Sequence, residues 1–139
     1  MASDLHLAGD LATNKAVARS FFEAIVAGDT VAIDALVHPQ AHWWVQGWGD
    51  LSRMAFLNGL GQTIARARTR RYAVVTLTAE QDRVAVEATA SFEFPEGTYQ
   101  NTYHFLFRMS DGRIVEGKEY LDTTVAARFY PPAAPGTRE

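Results

Sequence analysis

Cysteine is absent from the 139 residues, which removes disulfide scaffolds, thiolate metal sites and thiol nucleophiles together. No run of 18 or more apolar residues occurs, so no segment reads as a membrane-spanning helix. Basic residues are not in excess. Lys and Arg number 13 against 16 Asp and Glu, the net charge is -3 and the pI is near 5.8. That balance argues against nucleic acid or an anionic membrane as a partner. The opening Met1-Ala2-Ser3-Asp4-Leu5-His6 lacks the basic and apolar regions of a signal peptide, so a cytoplasmic location is expected. There is also no Gly-rich phosphate loop, no G-x-S-x-G and no Ser/His/Asp order to carry nucleophilic chemistry.

What is present is an ordinary globular composition, 47% apolar and 21% charged. The length suits one domain over residues 1–139, with loose ends at 1–12 and 131–139. Thr13 can cap a helix in which Val17, Phe21 and Ile25 recur at helical spacing. Gly28 ends it, and Asp29 or Thr30 can cap a second helix carrying Ile33, Leu36 and Val37 until Pro39 stops it. Asp50 or Ser52 starts a third, with Met54, Leu57, Leu60 and Ile64 on one side. From Tyr72 the apolar period changes to two. Tyr72–Thr78, Arg83–Phe94, Thr98–Met109 and Arg113–Asp122 read as strands separated by turn clusters. Helices followed by an antiparallel meander imply an α+β fold.

The last hairpin carries the most information. A two-residue Asp111-Gly112 loop would set Phe107 opposite Glu116 and mix charge into the aromatic face. A Ser110-Asp111-Gly112 loop with Gly112 at the bulge position pairs Phe107 with Val115, Phe105 with Gly117, Tyr103 with Glu119 and Asn101 with Leu121. Burial selects this second register, because a one-residue slip reverses every side chain. His104, Arg108, Glu116, Lys118 and Asp122 then face outward, and Glu119 is left on the inner face beside Tyr103. A buried carboxylate needs hydrogen bonds or a raised pKa.

The octapeptide AHWWVQGW, residues 41–48, holds all three tryptophans. It reads either as a core strand or as the wall of a pocket for an apolar ligand, and Trp43 reads as core. His38 and His42 are four apart, but Pro39 forbids a helix between them and no third ligand completes a metal site. Arg66, Arg68, Arg70 and Arg71 lie at a helix exit, where cations complement the helix dipole, and read as a solvated face.

Two stretches, "NKAVARSFFEAIVAGDTVAIDALVHPQAHWWVQG" and "YHFLFRMSDGRIVEGKEYLDT", resemble the NTF2-like, SnoaL-like proteins. The resemblance runs from Asn14 to about Phe129. It implies a cone: a curved antiparallel sheet wrapped around a long N-terminal helix with a central pocket. It further implies a homodimer through the sheet, whose outer face would carry Leu106, Tyr120, Thr102 and Val74. The roles carried over are few. Phe21 stands where steroid isomerases of the family have a tyrosine, and Phe105 where they have an acid. Val84, Val86, Ala88, Ala90 and Phe92 point inward where epoxide hydrolases carry an Arg-x-Asp pair. The final-strand acid maps to Glu119, and the water-holding Tyr-x-Asn pair maps to Trp44 and Gln46, whose face with His42 would turn toward the cavity.

The resulting expectation is a cofactor-independent lyase or isomerase with no metal, moving a proton on a small apolar, aromatic or polycyclic substrate. Glu119, Tyr103 and His42 are the expected catalytic residues, since a raised glutamate and a histidine both titrate near neutrality. Trp44, Gln46, Trp48, Asn101, Phe105, Leu121, Phe21 and Ala88 are the expected substrate contacts. A hydrolase in which Glu119 and Gln46 hold a water, and a binding protein without chemistry, are the alternatives.

Overall fold

The computed structural model describes residues 10–131. Helix α1 (Leu11–Ala27) is capped by Asp10, whose side chain accepts from the Ala12 N–H and also from the Thr13 hydroxyl. Thr13 is therefore a donor to the cap and not the cap. Asp10, Leu11 and Ala12 belong to the helix start, which corrects that part of the expected loose N-terminus. Residues 1–9 and 132–139 of the expected loose ends lie outside the described residues. Gly28 closes α1 in the left-handed conformation at φ 72°, its N–H reaching the Ala24 and Ile25 carbonyls. Asp29 caps α2 (Thr30–Leu36), after which the chain runs straight into β1 (Val37–Val45). Pro39 thus sits inside β1 and is not what stops the helix.

A short strand β2 (Gly49–Ser52) folds back on β1, and Ser52 caps α3 (Arg53–Arg66). The buried side of α3 is Phe56 and Thr63, with Leu57, Leu60 and Ile64 packed beside them. Met54 is 72% exposed, a correction to the expected stripe. The reason is the stacking of Phe56 on Trp43 at 3.8 Å and 13°, which fixes the helix rotation.

The meander follows as β3 (Thr69–Glu80), β4 (Arg83–Phe94), β5 (Gly97–Ser110) and β6 (Arg113–Leu121), and a single turn of helix, α4 (Thr123–Ala126), comes after it. The sheet order is β2-β1-β6-β5-β4-β3. Every neighbouring pair is antiparallel except β1 with β6, which run parallel. The first described strand therefore lies beside the last described one.

The β5–β6 register differs from the expected one. Ser110 pairs with Arg113, so the loop is Asp111-Gly112, both at positive φ as a two-residue hairpin requires. A bulge at Val115 then shifts the ladder, and Phe107 faces Gly117, Phe105 faces Glu119 and Tyr103 faces Leu121. The bulge restores the parity that the short loop would have broken. Phe107, Phe105 and Tyr103 are buried, and His104 and Arg108 are exposed.

Phe21 and Phe22 of α1 meet Trp43, Tyr72, Phe105 and Phe107 in one aromatic cluster. Val84, Val86, Ala88, Ala90 and Phe92 form the β4 part of this core. Val74 packs against it too, opposite Ala88, instead of facing outward as expected. A bulge at Val75 next to it puts that residue 57% into solvent.

Of the four arginines at the exit of α3, Arg70 has a structural task. Its guanidinium donates to the carbonyls of Ile25, Val26, Ile64 and Ala67, tying the C-termini of α1 and α3 together. Arg66 and Arg68 pair with Glu96 and Glu93.

Candidate active site

Between α1, α3 and the concave sheet face lies a cavity of about 220 Å³. Most of its wall is apolar: Phe21, Ile25, Leu51, Phe56, Leu60, Phe92, Phe105 and Leu121 all contribute. Trp48 lines it as well, and its indole N–H donates to the Pro131 carbonyl at 2.7 Å, joining the β1–β2 turn to the end of the described chain.

Polar groups interrupt this wall at several points. One is Glu119. Because β1 runs parallel to β6, Trp43 stands beside Gly117 and its indole N–H reaches along β6 to donate to Glu119 Oε2 at 2.7 Å. Gly117 is required here, since a Cβ would fall inside the indole. The Glu119 surface that remains accessible borders the cavity. Burial pushes its carboxyl up from 4.5 to about 7, and the Trp43 hydrogen bond opposes that rise.

Another is a phenol pair. Tyr99 and Tyr103 project from β5 two residues either side of Asn101, and their hydroxyls lie 2.6 Å apart. Asn101 Nδ2 donates to the Tyr99 hydroxyl at 2.8 Å. Burial raises the pKa of both phenols, and that of Tyr72 across the cavity, so all three stay protonated at neutral pH. Tyr130 lines the same space, accepting from the Thr63 hydroxyl at 3.3 Å.

Of the residues expected from sequence, Glu119, Tyr103, Trp48, Phe105, Leu121 and Phe21 line the cavity. Asn101 lies one hydrogen bond behind it, and Ala88, the buried cross-strand neighbour of Tyr103, does not line it either, so neither contacts the cavity directly as expected. Three expected positions are corrected. His42 is exposed, Trp44 packs on Tyr120 at 5.0 Å, and together with Lys118 and Glu116 they form the outer sheet face. Gln46 is exposed and spends its side-chain oxygen on the Leu121 N–H, capping the end of the β1–β6 ladder. The physical reason is strand parity. Val37, Ala41 and Trp43 are the buried members of β1, so His42 and Trp44, alternating with the last two, must point the other way.

Sequence reasoning missed Tyr99, Tyr72, Tyr130, Phe56 and the bond from Trp43 to Glu119. Tyr99 shares the parity of Asn101 and Tyr103 and was readable on that ground. Trp43 had a complementary signal in Gly117, the one small residue on the inner face of β6. Among the described residues no three His, Cys, Asp or Glu side chains gather as metal ligands, and no helix is long and apolar enough to cross a membrane.

The SnoaL-like domain family model matches residues 18–117, and the chain belongs to that family. No curated protein sequence matches it. Its fold is shared with Bal32a from a soil-derived mobile gene cassette, at TM-score 0.78 and 19% identity over 88% of this chain and 99% of that one. An LEH-like epoxide hydrolase of M. tuberculosis superposes at TM-score 0.76 and 16% identity, covering 86% and 90% of the two chains. An NTF2-like protein of Burkholderia xenovorans LB400 gives 0.69 and 22%, covering 86% and 96%. The superpositions establish a common fold, and at these identities the reaction is left to be argued from the cavity.

Proposed function

We propose that the protein is a cofactor-independent acid–base enzyme acting on a small, predominantly apolar molecule, as a lyase or isomerase. The observation that carries this reading is the Glu119 carboxyl at the cavity wall, with its pKa lifted to about 7. At that value both protonation states are populated at neutral pH, which is what a group that first takes and then returns a proton needs. Trp43 engages Oε2, which orients the carboxyl and leaves Oε1 as the oxygen that exchanges the proton. Tyr103, protonated throughout the neutral range, supplies a hydrogen bond to charge that develops on the substrate. The apolar wall orients the molecule and excludes water. His42 has no part in this site, and a hydrolytic route loses its support because Gln46 is not there to hold a water.

The test is turnover by the Glu119→Gln variant, in solvent deuterium, on a panel of small cyclic ketones and alcohols followed by NMR. Wild type is expected to exchange or eliminate an acidified proton, with kcat/KM changing through a single group near pH 7. Glu119→Gln should lose that activity by roughly 10²-fold or more. An equally active variant would remove Glu119 from the mechanism. We also read the outer face, where Trp44, Tyr120 and Leu106 stand, as the contact for a second copy of the chain. Sedimentation at micromolar concentration should give a dimer, and a monomer there refutes that assignment.

A further inference from the structure

The side chain of Asn101 is held from four directions. Its Oδ1 accepts from the backbone N–H groups of Thr102 at 2.8 Å and Asp122 at 3.2 Å. Its Nδ2 donates to the Asp122 carbonyl at 3.0 Å and to the Tyr99 hydroxyl at 2.8 Å. Two N–H donors on one side and a carbonyl on the other leave the amide a single orientation. An amide nitrogen cannot accept, so the Tyr99 oxygen must receive a proton from Asn101.

That constraint passes down the chain of bonds. The Tyr99 and Tyr103 hydroxyls share one short contact, and one of them donates. If Tyr103 donated, the Tyr99 oxygen would accept twice and its own proton would need another acceptor. Tyr99 borders the cavity too, but none of its surface is accessible, against 7% for Tyr103, and the rings of Phe92, Phe94, Phe129 and Tyr130 surround it. A stranded hydroxyl proton in that setting is costly. The order in which Asn101 donates to Tyr99 and Tyr99 donates to Tyr103 avoids the cost. Tyr103 is then an acceptor inside the wall, and its own O–H is released toward the cavity it lines.

We propose that Asn101 is a positioning residue that fixes this proton order, making Tyr103 a permanent hydrogen-bond donor to the cavity. The ligand class follows: apolar molecules carrying an oxygen that only accepts, above all a ketone. The proposal rests on the reading of the cavity as a ligand site, and it needs no catalytic role for Glu119. The volume of about 220 Å³ exceeds the roughly 150 Å³ that holds a benzene ring, so a fused bicyclic ketone is a suitable probe.

The experiment compares 1-indanone with indane, which shares the skeleton without the oxygen. Binding is measured by calorimetry, and the carbonyl stretch of bound indanone by infrared difference spectroscopy. In wild type the carbonyl band is expected to move to lower frequency than in an apolar solvent. Glu119→Gln should keep that shift. Tyr103→Phe should abolish it and lower the preference for indanone over indane roughly three- to tenfold, the range of one neutral hydrogen bond. Asn101→Asp replaces the donor by an acceptor, so Tyr99 turns toward residue 101 and Tyr103 turns toward Tyr99. Its band should match that of Tyr103→Phe. If that variant does not fold, Tyr99→Phe decides, because it keeps the ring and removes only the hydroxyl between Asn101 and Tyr103. Its band should lie between the two extremes. An unshifted band in wild type overturns the proposal, as does a wild-type band in foldable Asn101→Asp or in Tyr99→Phe. Failure of both indanone and indane to bind removes the cavity as a ligand site, whereas loss of activity in Glu119→Gln with the band retained separates catalysis from recognition.

Discussion

Replacing Glu119 by Gln should stabilise the protein, and the amount can be worked from the site. The amide keeps an oxygen for the Trp43 indole N–H and fills nearly the same volume, so packing is preserved. What changes is titration. The wild-type carboxyl ionises near 4.5 in the unfolded chain and near 7 in the fold. Below pH 4.5 both states hold the proton, and Glu119 contributes no difference. Between 4.5 and 7 the unfolded chain releases its proton while the folded protein retains it, so stability falls with rising pH at about 1.4 kcal/mol per unit. Above 7 both are ionised and the loss is complete, at about 3 kcal/mol. A glutamine makes no such contribution. Wild type and Glu119→Gln should therefore be similar at pH 4 and diverge up to pH 8, where the variant melts roughly 6–12 °C higher. Urea unfolding of both proteins across that range, followed by tryptophan fluorescence, measures the difference with all other titrations cancelling. Parallel curves would show that Glu119 is not a buried acid in the folded protein, and the functional reading would go with it.

Trp43→Phe removes the hydrogen bond that lowers the Glu119 pKa, so the carboxyl titration followed by carbon-13 NMR should move upward from about 7. The same substitution should cost about 1–3 kcal/mol for the lost indole volume against Phe56. Gly117→Ala should destabilise by about 1–3 kcal/mol or prevent folding in chemical denaturation, and Gly117→Ala combined with Trp43→Phe should recover part of that loss. Arg70→Met leaves four backbone carbonyls short of a donor and should lower unfolding free energy by about 2–3 kcal/mol, with hydrogen exchange rising first at the ends of α1 and α3. His42→Ala should leave kcat/KM within about twofold of wild type, because the imidazole is on the opposite side of the sheet; a larger loss in a steady-state assay would contradict that placement.

The parts of this fold that were legible in the sequence are those governed by local chemistry. Gly28 and Asp29 mark a helix end and a helix start because left-handed backbone and side-chain capping each select a narrow set of residues. The alternation of Tyr103, Phe105 and Phe107 against His104 and Arg108 gave the inner face of β5, and through it Glu119. The errors arose where a distant partner decided the outcome. The facing of β1 depends on its parallel pairing with β6, and nothing within residues 41–48 states which alternate set is buried. Reading that face through the resemblance turned His42, Trp44 and Gln46 the wrong way. The hairpin loop was misjudged because two devices, a short turn and the bulge at Val115, give the same parity as one longer loop. The network from Asn101 through Tyr99 to Tyr103 is a matter of hydroxyl geometry, which spacing alone suggests but does not draw.

The parallel pairing of β1 with β6 also orders events in time. Trp43 and Glu119 are 76 positions apart, so the carboxyl acquires its orienting partner only when the final hairpin closes against the oldest strand. During synthesis β1 waits with one edge unfilled and its tryptophan without the glycine floor that receives it. β2 covers the other edge of β1 through a turn of a few residues. The acid therefore gains its partner only through the β1–β6 pairing, and a chain in which that pairing is open has a glutamate in water with an ordinary pKa.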